Sequence, residues 1–212
     1  YKSSLKTPIA LFTMGIPASG KSTSVKFVLD EMKIAKSAVV LLDPDEVMGE
    51  FPGYNNGLRG NTLREFNKAG VIVAKKIFDK LVEARISFVY FGTGKGFSFY
   101  RSLLSKTNKS GYKNGLINVM LNSDEAINRN SKRARSVGPS VIKNISASLK
   151  TGLTAPKYAK GKTPYEALSD LDIVNFVYDV DTSSTPPLIE MAKSNRNNSV
   201  HGKKKKKRKS VK

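Results

Sequence analysis

The chain has 212 residues and no cysteine, and it carries 37 lysine and arginine residues against 17 aspartate and glutamate residues, for a formal net charge of +20. This length favours one α/β domain with appendages, and the lack of cysteine excludes disulfides and thiolate metal sites and fits an intracellular protein. Because the single histidine, His201, lies beside a basic tail, neither catalysis by histidine nor a histidine-rich zinc site is expected.

Positive charge is not confined to one end of the chain. Lys203–Lys209 and Lys212 supply eight positive charges, which leaves 29 basic and 17 acidic residues, a net charge of +12, for the remainder. A basic body suits anionic ligands such as nucleotides, sugar phosphates or nucleic acid. No apolar run approaches the ~18 residues that a membrane span needs, so we expect no membrane partner.

Apolar strands alternate with helical patterns over most of the chain. In chain order, strands are predicted at Pro8–Met14, Ala38–Leu42, Ile86–Phe91, Gly115–Leu121 and Ile173–Tyr178. Helices are predicted at Lys21–Lys33, Thr62–Arg85, Ser98–Asn108 and Asp124 to about Ala134, with short helices after Pro139 and Thr163. A loop is predicted from Asp43 to about Asn61. This alternation predicts an α/β domain with a mostly parallel, five-stranded sheet, helices on both faces, and ligands at the carboxyl ends of the strands.

The longest predicted helix, Thr62–Arg85, has one apolar stripe. Its members recur at steps of three and four residues: Leu63, Phe66, Gly70, Val73, Ile77 and Leu81.

A phosphate-binding loop lies between the first strand and the first helix. The pattern G-x-x-x-x-G-K-[ST] is matched by Gly15, Ile16, Pro17, Ala18, Ser19, Gly20, Lys21, Ser22 and Thr23. The glycines let backbone N–H groups approach phosphate oxygens, and the helix start adds positive partial charge. Lys21 would bind the β and γ phosphates, and the Ser22 hydroxyl is a hard oxygen ligand for Mg²⁺. We therefore predict a P-loop NTPase fold that binds ATP with Mg²⁺.

Acidic residues follow the second predicted strand. A carboxylate at Asp43 or Asp45 would face the γ-phosphate across the sheet edge, where Asp45 could accept the proton of an acceptor hydroxyl. Asp43 is a candidate metal ligand together with Ser22, and Asp43 and Glu46 are candidates for contacting the acceptor. Because Asp-Pro-Asp also begins turns and helices, a purely structural role for Asp43 stays open.

A basic segment follows the fourth predicted strand. Arg129 and Arg133 are four residues apart and share a helix face, and Arg135 lies at the helix end. These arginines could form a helical lid that closes over the phosphates and stabilises the transition state. The alternative is a solvated basic face.

The glycine-rich segment Gly92–Gly96 follows the third predicted strand. It is either a second phosphate contact or a flexible turn, and both interpretations stay open.

The composition changes at about residue 195, beyond which Asn, Ser, Gly and Lys dominate. We predict one folded domain over residues 1–194 and a disordered basic tail over 195–212, because the tail cannot bury enough apolar area to offset its ordering entropy. The Lys203–Lys209 run resembles a nuclear localisation signal or a nucleic-acid-binding arm, and the alternative is a solubilising tail. The expected location is intracellular, cytoplasmic or nuclear.

The order of these motifs resembles the zeta-toxin family of P-loop kinases, from about Thr7 to about Met191. Besides the phosphate loop, Leu42–Glu46 is similar to the family's Asn-Gly-Asp-Glu segment, and Phe51–Tyr54 to its His-Pro-x-Tyr. Phe91–Thr93 resembles its Glu-Gly-Thr, and Val177–Ser183 is similar to the closing Tyr-Asp-Asn-Ser. The arginine-rich segment resembles its lid.

The resemblance implies transfer of phosphate from ATP to a hydroxyl, which in the family includes one on UDP-N-acetylglucosamine. It implies that Asp45 is the general base, that Lys21 and the arginines bind phosphates, and that Thr93 helps to position the acceptor. Phe91 departs from the pattern, because the family often has glutamate there. The leading hypothesis is therefore a kinase of a small-molecule hydroxyl, such as that of a nucleotide sugar.

Two other functions remain as alternatives. A kinase of nucleic-acid 5′-hydroxyl ends is motivated by the basic body and tail. An ATP-binding module without transferase activity is motivated by Phe91.

Overall fold

The structure is a computed structural model that describes residues 6–133, 135–151 and 161–194. The predicted disordered tail, with its Lys203–Lys209 run, lies outside the described residues. Of the helices in this part of the chain, none combines the length and the apolar character that crossing a membrane requires.

A six-stranded sheet runs through the described residues in the order β2-β3-β1-β4-β5-β6. The strands are β1 (Ile9–Met14), β2 (Val40–Leu42), β3 (Phe88–Tyr90), β4 (Lys113–Met120), β5 (Phe176–Asp181) and β6 (Leu188–Ser194). The first five are parallel, and β6 pairs with β5 in the antiparallel sense. The mostly parallel sheet is confirmed, but the predicted number of five strands is wrong by one. Because β6 is an edge strand without fully buried residues, it lacks the apolar run that marks the other strands.

Seven α-helices are present among the described residues. They are α1 (Lys21–Glu31), α2 (Pro44–Gly49), α3 (Gly60–Glu83), α4 (Phe97–Lys109), α5 (Ser123–Ser131), α6 (Pro139–Lys150) and α7 (Pro164–Ser169). The predicted loop from Asp43 to Asn61 is wrong at its start, where α2 forms. Asp43 caps this helix by accepting a hydrogen bond from the Asp45 backbone, and Pro44 takes the first turn, where its missing N–H costs nothing.

Two hydrophobic layers pack on opposite faces of the sheet. One lies between the sheet and α3, α4 and α7, and it includes Phe12, Phe78 and Phe88, which are fully buried. The other lies under α1, where Val25, Val28 and Leu29 pack against alternate strand residues. The predicted arrangement of helices on both faces is confirmed.

A smaller cluster attaches α5 and α6 to the phosphate loop. Ile16 of the loop is buried against Ala126 of α5 and Ile142 of α6. Burial of these three side chains fixes the basic α5–α6 segment next to the carboxyl ends of the strands, where the phosphate loop also lies.

Candidate active site

A cleft of about 520 Å³ opens at the carboxyl edge of the parallel strands. Four segments line it: the phosphate loop, the β2–α2 junction, the β3–α4 loop and the α5–α6 segment. Of the predicted site residues it brings together Pro17, Ala18, Gly20, Lys21, Ser22, Thr23, Asp43, Asp45, Thr93, Arg129, Arg133 and Arg135. Segments far apart in sequence thus meet in one place because parallel strands all end at this edge.

Four other predicted site residues do not line the cleft. Gly15, Ile16 and Ser19 are buried within or beneath the phosphate loop. Glu46 is exposed on α2, outside the lining residues. Glu46 is therefore not part of the cleft wall, although its negative charge contributes to the raised pKa of Asp43.

The phosphate loop has the tight geometry that its glycines predict. Gly15 has φ +142°, and a Cβ atom there would lie 2.6 Å from the Val119 carbonyl oxygen, so only glycine fits without strain. Gly20 is left-handed at the cap of α1, and the N-terminus of α1 lies next to the cleft. Backbone N–H groups at a helix start form a binding site for phosphate oxygens.

Lys21 folds back over the loop. Its Nζ donates hydrogen bonds to the carbonyl oxygens of Ile16 at 2.9 Å and Gly15 at 3.2 Å. Burial lowers the pKa of Lys21 to about 8, and the charge of Arg133 acts in the same direction, while Asp43 and Asp45 oppose the shift. The ammonium group thus has fewer solvent contacts than an ordinary lysine, and an anionic ligand would stabilise its charged form.

The end of β5 supports the phosphate loop. Thr182 is buried, and its Oγ1 donates a hydrogen bond to the Ser19 carbonyl oxygen at 2.8 Å. The Thr182 carbonyl oxygen accepts a hydrogen bond from Arg129 Nη2 at 2.8 Å. Sequence reasoning did not select Thr182, although it lies within Val177–Ser183, the segment similar to the family's closing motif.

Asp43 and Ser22 present two oxygen donors to the same cleft. Burial raises the pKa of the Asp43 carboxyl, the nearby charges of Asp45 and Glu46 add to the shift, and Lys21 opposes it. The described residues contain no cluster of three or more His, Cys, Asp or Glu side chains that could hold a metal ion. A hard cation at Ser22 and Asp43 would therefore complete its coordination with phosphate oxygens and water, as Mg²⁺ commonly does.

The three arginines of the basic segment have different surroundings. Arg129 donates from Nε to Glu125 Oε1 at 2.9 Å, in addition to its contact with the Thr182 carbonyl. Arg133 is exposed and lies near enough to Lys21 for its charge to lower the lysine pKa. Arg135 Nη2 lies 3.4 Å from Asp45 Oδ1. One segment thus presents positive charge to both the phosphate loop and the acidic junction.

The glycine-rich segment after β3 is joined to the phosphate-binding side of the cleft. The Gly15 N–H donates to the Thr93 carbonyl oxygen at 3.0 Å, and the Gly92 N–H donates to Thr13 Oγ1 at 3.0 Å. Gly92 and Thr93 therefore form a fixed wall of the cleft. Phe91 also lines the cleft, but it is buried and packs in the hydrophobic layer under α1.

Comparisons with known proteins place this arrangement in a family. The sequence model of the family described as Zeta toxin matches residues 1–154. A comparison with curated protein sequences found no match.

Several solved structures share the fold. One belongs to the PezAT chromosomal toxin–antitoxin system of Streptococcus pneumoniae, with a TM-score of 0.64 and 14% identity over 94% of this chain and 76% of that one. The AvrRxo1-ORF1:AvrRxo1-ORF2 complex with ATP has a TM-score of 0.61 and 11% identity over 87% and 57% of the two chains. The Pnkp1/Rnl/Hen1 RNA repair complex has a TM-score of 0.54 and 14% identity over 70% and 46%.

The family match covers more than half of the chain, and its residues supply the phosphate loop, the acidic junction, the β3–α4 loop and all three cleft arginines. The chain belongs to the zeta toxin family, and it is a phosphotransferase with the P-loop kinase fold.

Proposed function

We propose that this protein transfers the γ-phosphate of ATP to a hydroxyl group of a small molecule. The observation that carries the proposal is the meeting of a phosphate loop, an accessible carboxylate and three arginines in one cleft of about 520 Å³. Phosphoryl transfer needs these parts, because it depends on positioning and on stabilising charge more than on covalent chemistry by the protein.

ATP is the proposed phosphate donor, and Mg²⁺ is the proposed cofactor. The solved AvrRxo1 complex with ATP supports nucleotide binding by this fold. Ser22 and Asp43 would hold the metal ion, and its positive charge would favour the ionised form of Asp43, whose pKa is raised by burial. When bound, Mg²⁺ neutralises the charge that develops on the phosphate oxygens.

Asp45 is the proposed general base. Its side chain is 65% exposed and lines the cleft, so an incoming hydroxyl can reach it. The hydroxyl oxygen attacks the γ-phosphorus, the bond from that phosphorus to the β–γ bridging oxygen breaks, and ADP leaves. Asp45 takes the hydroxyl proton. Lys21 and the arginines bind the phosphates, while Thr93 helps to position the acceptor.

A kinase of nucleic-acid 5′-hydroxyl ends is the second candidate. The net charge of +12 outside the basic tail favours it. Such an enzyme would lose affinity for an oligonucleotide steeply as salt rises. If the affinity for an oligonucleotide does not fall as salt rises, nucleic acid is not the acceptor. If deletion of residues 203–212 leaves activity unchanged, the basic tail has no part in the reaction.

The test is transfer of labelled γ-phosphate from ATP to a panel of nucleotide sugars, nucleosides and RNA ends. We expect one class of acceptor to be labelled by the wild type and not by Lys21→Ala or Asp45→Asn. Glu50→Gln is the matched control, because Glu50 is an exposed acid at the end of α2 outside the lining residues. Transfer that survives Asp45→Asn would exclude Asp45 as the base. ATP binding without transfer to any acceptor would instead indicate a nucleotide-binding module without transferase activity.

A further inference from the structure

A row of basic residues lies at the amino-terminal edge of the sheet, opposite the cleft. These residues belong to four segments that lead into strands: 6–8 before β1, 32–39 before β2, 84–87 before β3, and 109–113 from the end of α4 to the start of β4. The four strands are parallel neighbours in the order β2-β3-β1-β4, so their amino ends meet at one edge. The residues that form this basic edge are Lys6, Lys33, Lys36, Arg85, Lys109 and Lys113.

Positive charge at the basic edge is not balanced within its own segments. None of the four segments contains aspartate or glutamate, and none of the six basic side chains forms an ion pair with any described residue. The nearest acidic residues are on the helices, where Asp30 and Glu31 lie at the end of α1, and Glu83 of α3 pairs with Lys80.

The sign of the charge changes at the next strand. Residues 170–175, which precede β5, contain Asp170 and Asp172 and no basic residue. The basic edge is therefore a bounded patch across four strands. With about 4.8 Å between neighbouring strands, it spans about 14 Å.

A hydrogen bond joins two of the segments. Arg85 Nη1 donates to the Ser110 carbonyl oxygen at 2.6 Å, so the segments before β3 and β4 are in contact although β1 lies between these strands. The guanidinium has further N–H groups, and the Arg85 residue is exposed. The basic edge is thus a fixed surface with free donors.

The helix dipole explains only part of this charge. Lys33 and Arg85 directly follow the last turns of α1 and α3, where a cation is favoured. Both residues are left-handed, with φ +59° and φ +54°, and glycine is the usual residue in that conformation at a helix end. The chain thus carries charge at these two positions at a cost in backbone strain.

We propose that the basic edge binds the phosphate backbone of a double-stranded nucleic acid. A row of cations matches the regular phosphate charges of a duplex, and this attraction does not depend on sequence. The four segments offer no aromatic surface on which the bases of a single strand could stack, since Tyr112 is buried and its hydroxyl donates to backbone carbonyls. They also expose no large apolar side chain that could enter a membrane.

The basic edge and the cleft are at opposite ends of the strands. The six residues of β1 and the eight of β4 span about 20 Å and about 26 Å, at about 3.3 Å per residue. A duplex at the basic edge is therefore remote from the phosphate loop and is not the phosphate acceptor. It would instead hold the protein on nucleic acid while the cleft stays open.

The first experiment measures binding of the full chain to a short, blunt-ended duplex by fluorescence anisotropy, from about 50 to 200 mM salt. Lys33→Gln, Lys36→Gln and Lys109→Gln are combined in one variant. The matched control combines Lys26→Gln, Lys68→Gln and Lys76→Gln, which remove the same charge from exposed positions within α1 and α3. RNA and DNA duplexes of one sequence are compared, and vesicles with an anionic lipid are a further arm.

We expect the basic-edge variant to bind the duplex at least tenfold more weakly than the wild type and the control. Its plot of log affinity against log salt should be less steep by up to about 2.7, because each lost phosphate contact removes about 0.9 from the slope. All proteins keep the basic tail, so binding by the tail alone would leave the three proteins equal and overturn the proposal. Binding to vesicles without binding to either duplex would also overturn it.

A second experiment separates the basic edge from the fold and from the cleft. Lys33→Gly should bind the duplex about fivefold more weakly while Tm stays unchanged or rises, because glycine accepts the left-handed backbone without strain. Saturation of the wild type with Mg²⁺ and a non-hydrolysable ATP analogue should leave duplex affinity unchanged. Unaltered binding by Lys33→Gly, or displacement of the duplex by the ATP analogue, would contradict a nucleic-acid site at this edge.

Discussion

Thr182 Oγ1 donates a hydrogen bond of 2.8 Å to the carbonyl oxygen of Ser19, and so joins the end of β5 to the phosphate loop. Both residues are buried, so the donor that Thr182 supplies has no substitute in solvent. The carbonyl of Thr182 also orients Arg129. The phosphate loop and Arg129 are thus both contacted by one residue, which directly follows β5.

We predict that Thr182→Val raises the KM for ATP by about tenfold and lowers kcat less, because an unpaired buried carbonyl costs about 1–3 kcal/mol and displaces the loop. Valine keeps the shape of threonine but lacks the donor. Thr182→Ser keeps the donor and should have a KM near the wild-type value. The measurement is the steady-state KM for ATP of the wild type and both variants. Equal effects of valine and serine would show that the Thr182 hydroxyl does not cause the change in KM.

Nucleotide affinity should fall as pH rises through about 8. The pKa of Lys21 is lowered to about 8 by burial, so the free protein carries the ammonium form below that pH and loses it above. Because phosphate binding needs the charged form, affinity should fall by up to about tenfold per pH unit above 8. The measurement is ATP titration in EDTA, which removes metal binding from the comparison. Lys21→Met should bind weakly and without this pH dependence, and a wild-type profile that stays flat from pH 7 to pH 10 would contradict the prediction.

Substitution of Asp43 can separate its capping role from its proposed metal role. Asparagine also caps helices, so Asp43→Asn should keep the stability of the fold while the Mg²⁺ concentration needed for half-maximal activity rises about tenfold. Asp43→Ala should lose both roles and about 1 kcal/mol of unfolding free energy. Metal titration of activity and thermal unfolding give the two readouts. If the activity of Asp43→Asn depends on Mg²⁺ as that of the wild type does, Asp43 caps α2 but does not bind the metal ion.

Gly115 of β4 is a packing constraint of the core. Its register partner on β5 is Phe176, and a Cβ atom at Gly115 would overlap the Phe176 ring and lie 2.8 Å from Leu11 Cδ2. We predict that Gly115→Ala destabilises the protein by about 1–3 kcal/mol, which lowers Tm by roughly 2–10 °C. Gly49→Ala on α2 is the control, because a Cβ atom there meets no atom within 4 Å, and it should leave Tm unchanged or slightly higher.

Sequence patterns predicted the elements whose signal is local. The phosphate loop, the buried parallel strands and the helices α1 and α3 follow from residue spacing within each segment. Even within α3 the match is partial: Gly70 and Leu81 of the predicted stripe are buried, whereas the deepest positions also include Ala74, Phe78 and Val82. Spacing gives a helix face only approximately, and the exact buried side is set by the sheet and α2 against which α3 packs.

A mostly parallel α/β protein with a phosphate-binding loop can be predicted from the order of glycine, apolar and charged residues, because each of these features is encoded within a short segment. The folded structure was needed to show that β6 completes the sheet, that Thr182 donates a hydrogen bond to Ser19, and that Arg135 pairs with Asp45. The Thr182–Ser19 contact joins residues 163 positions apart, and the Arg135–Asp45 contact joins residues 90 apart. Such contacts depend on strand order and on the docking of α5 and α6, which no local pattern specifies.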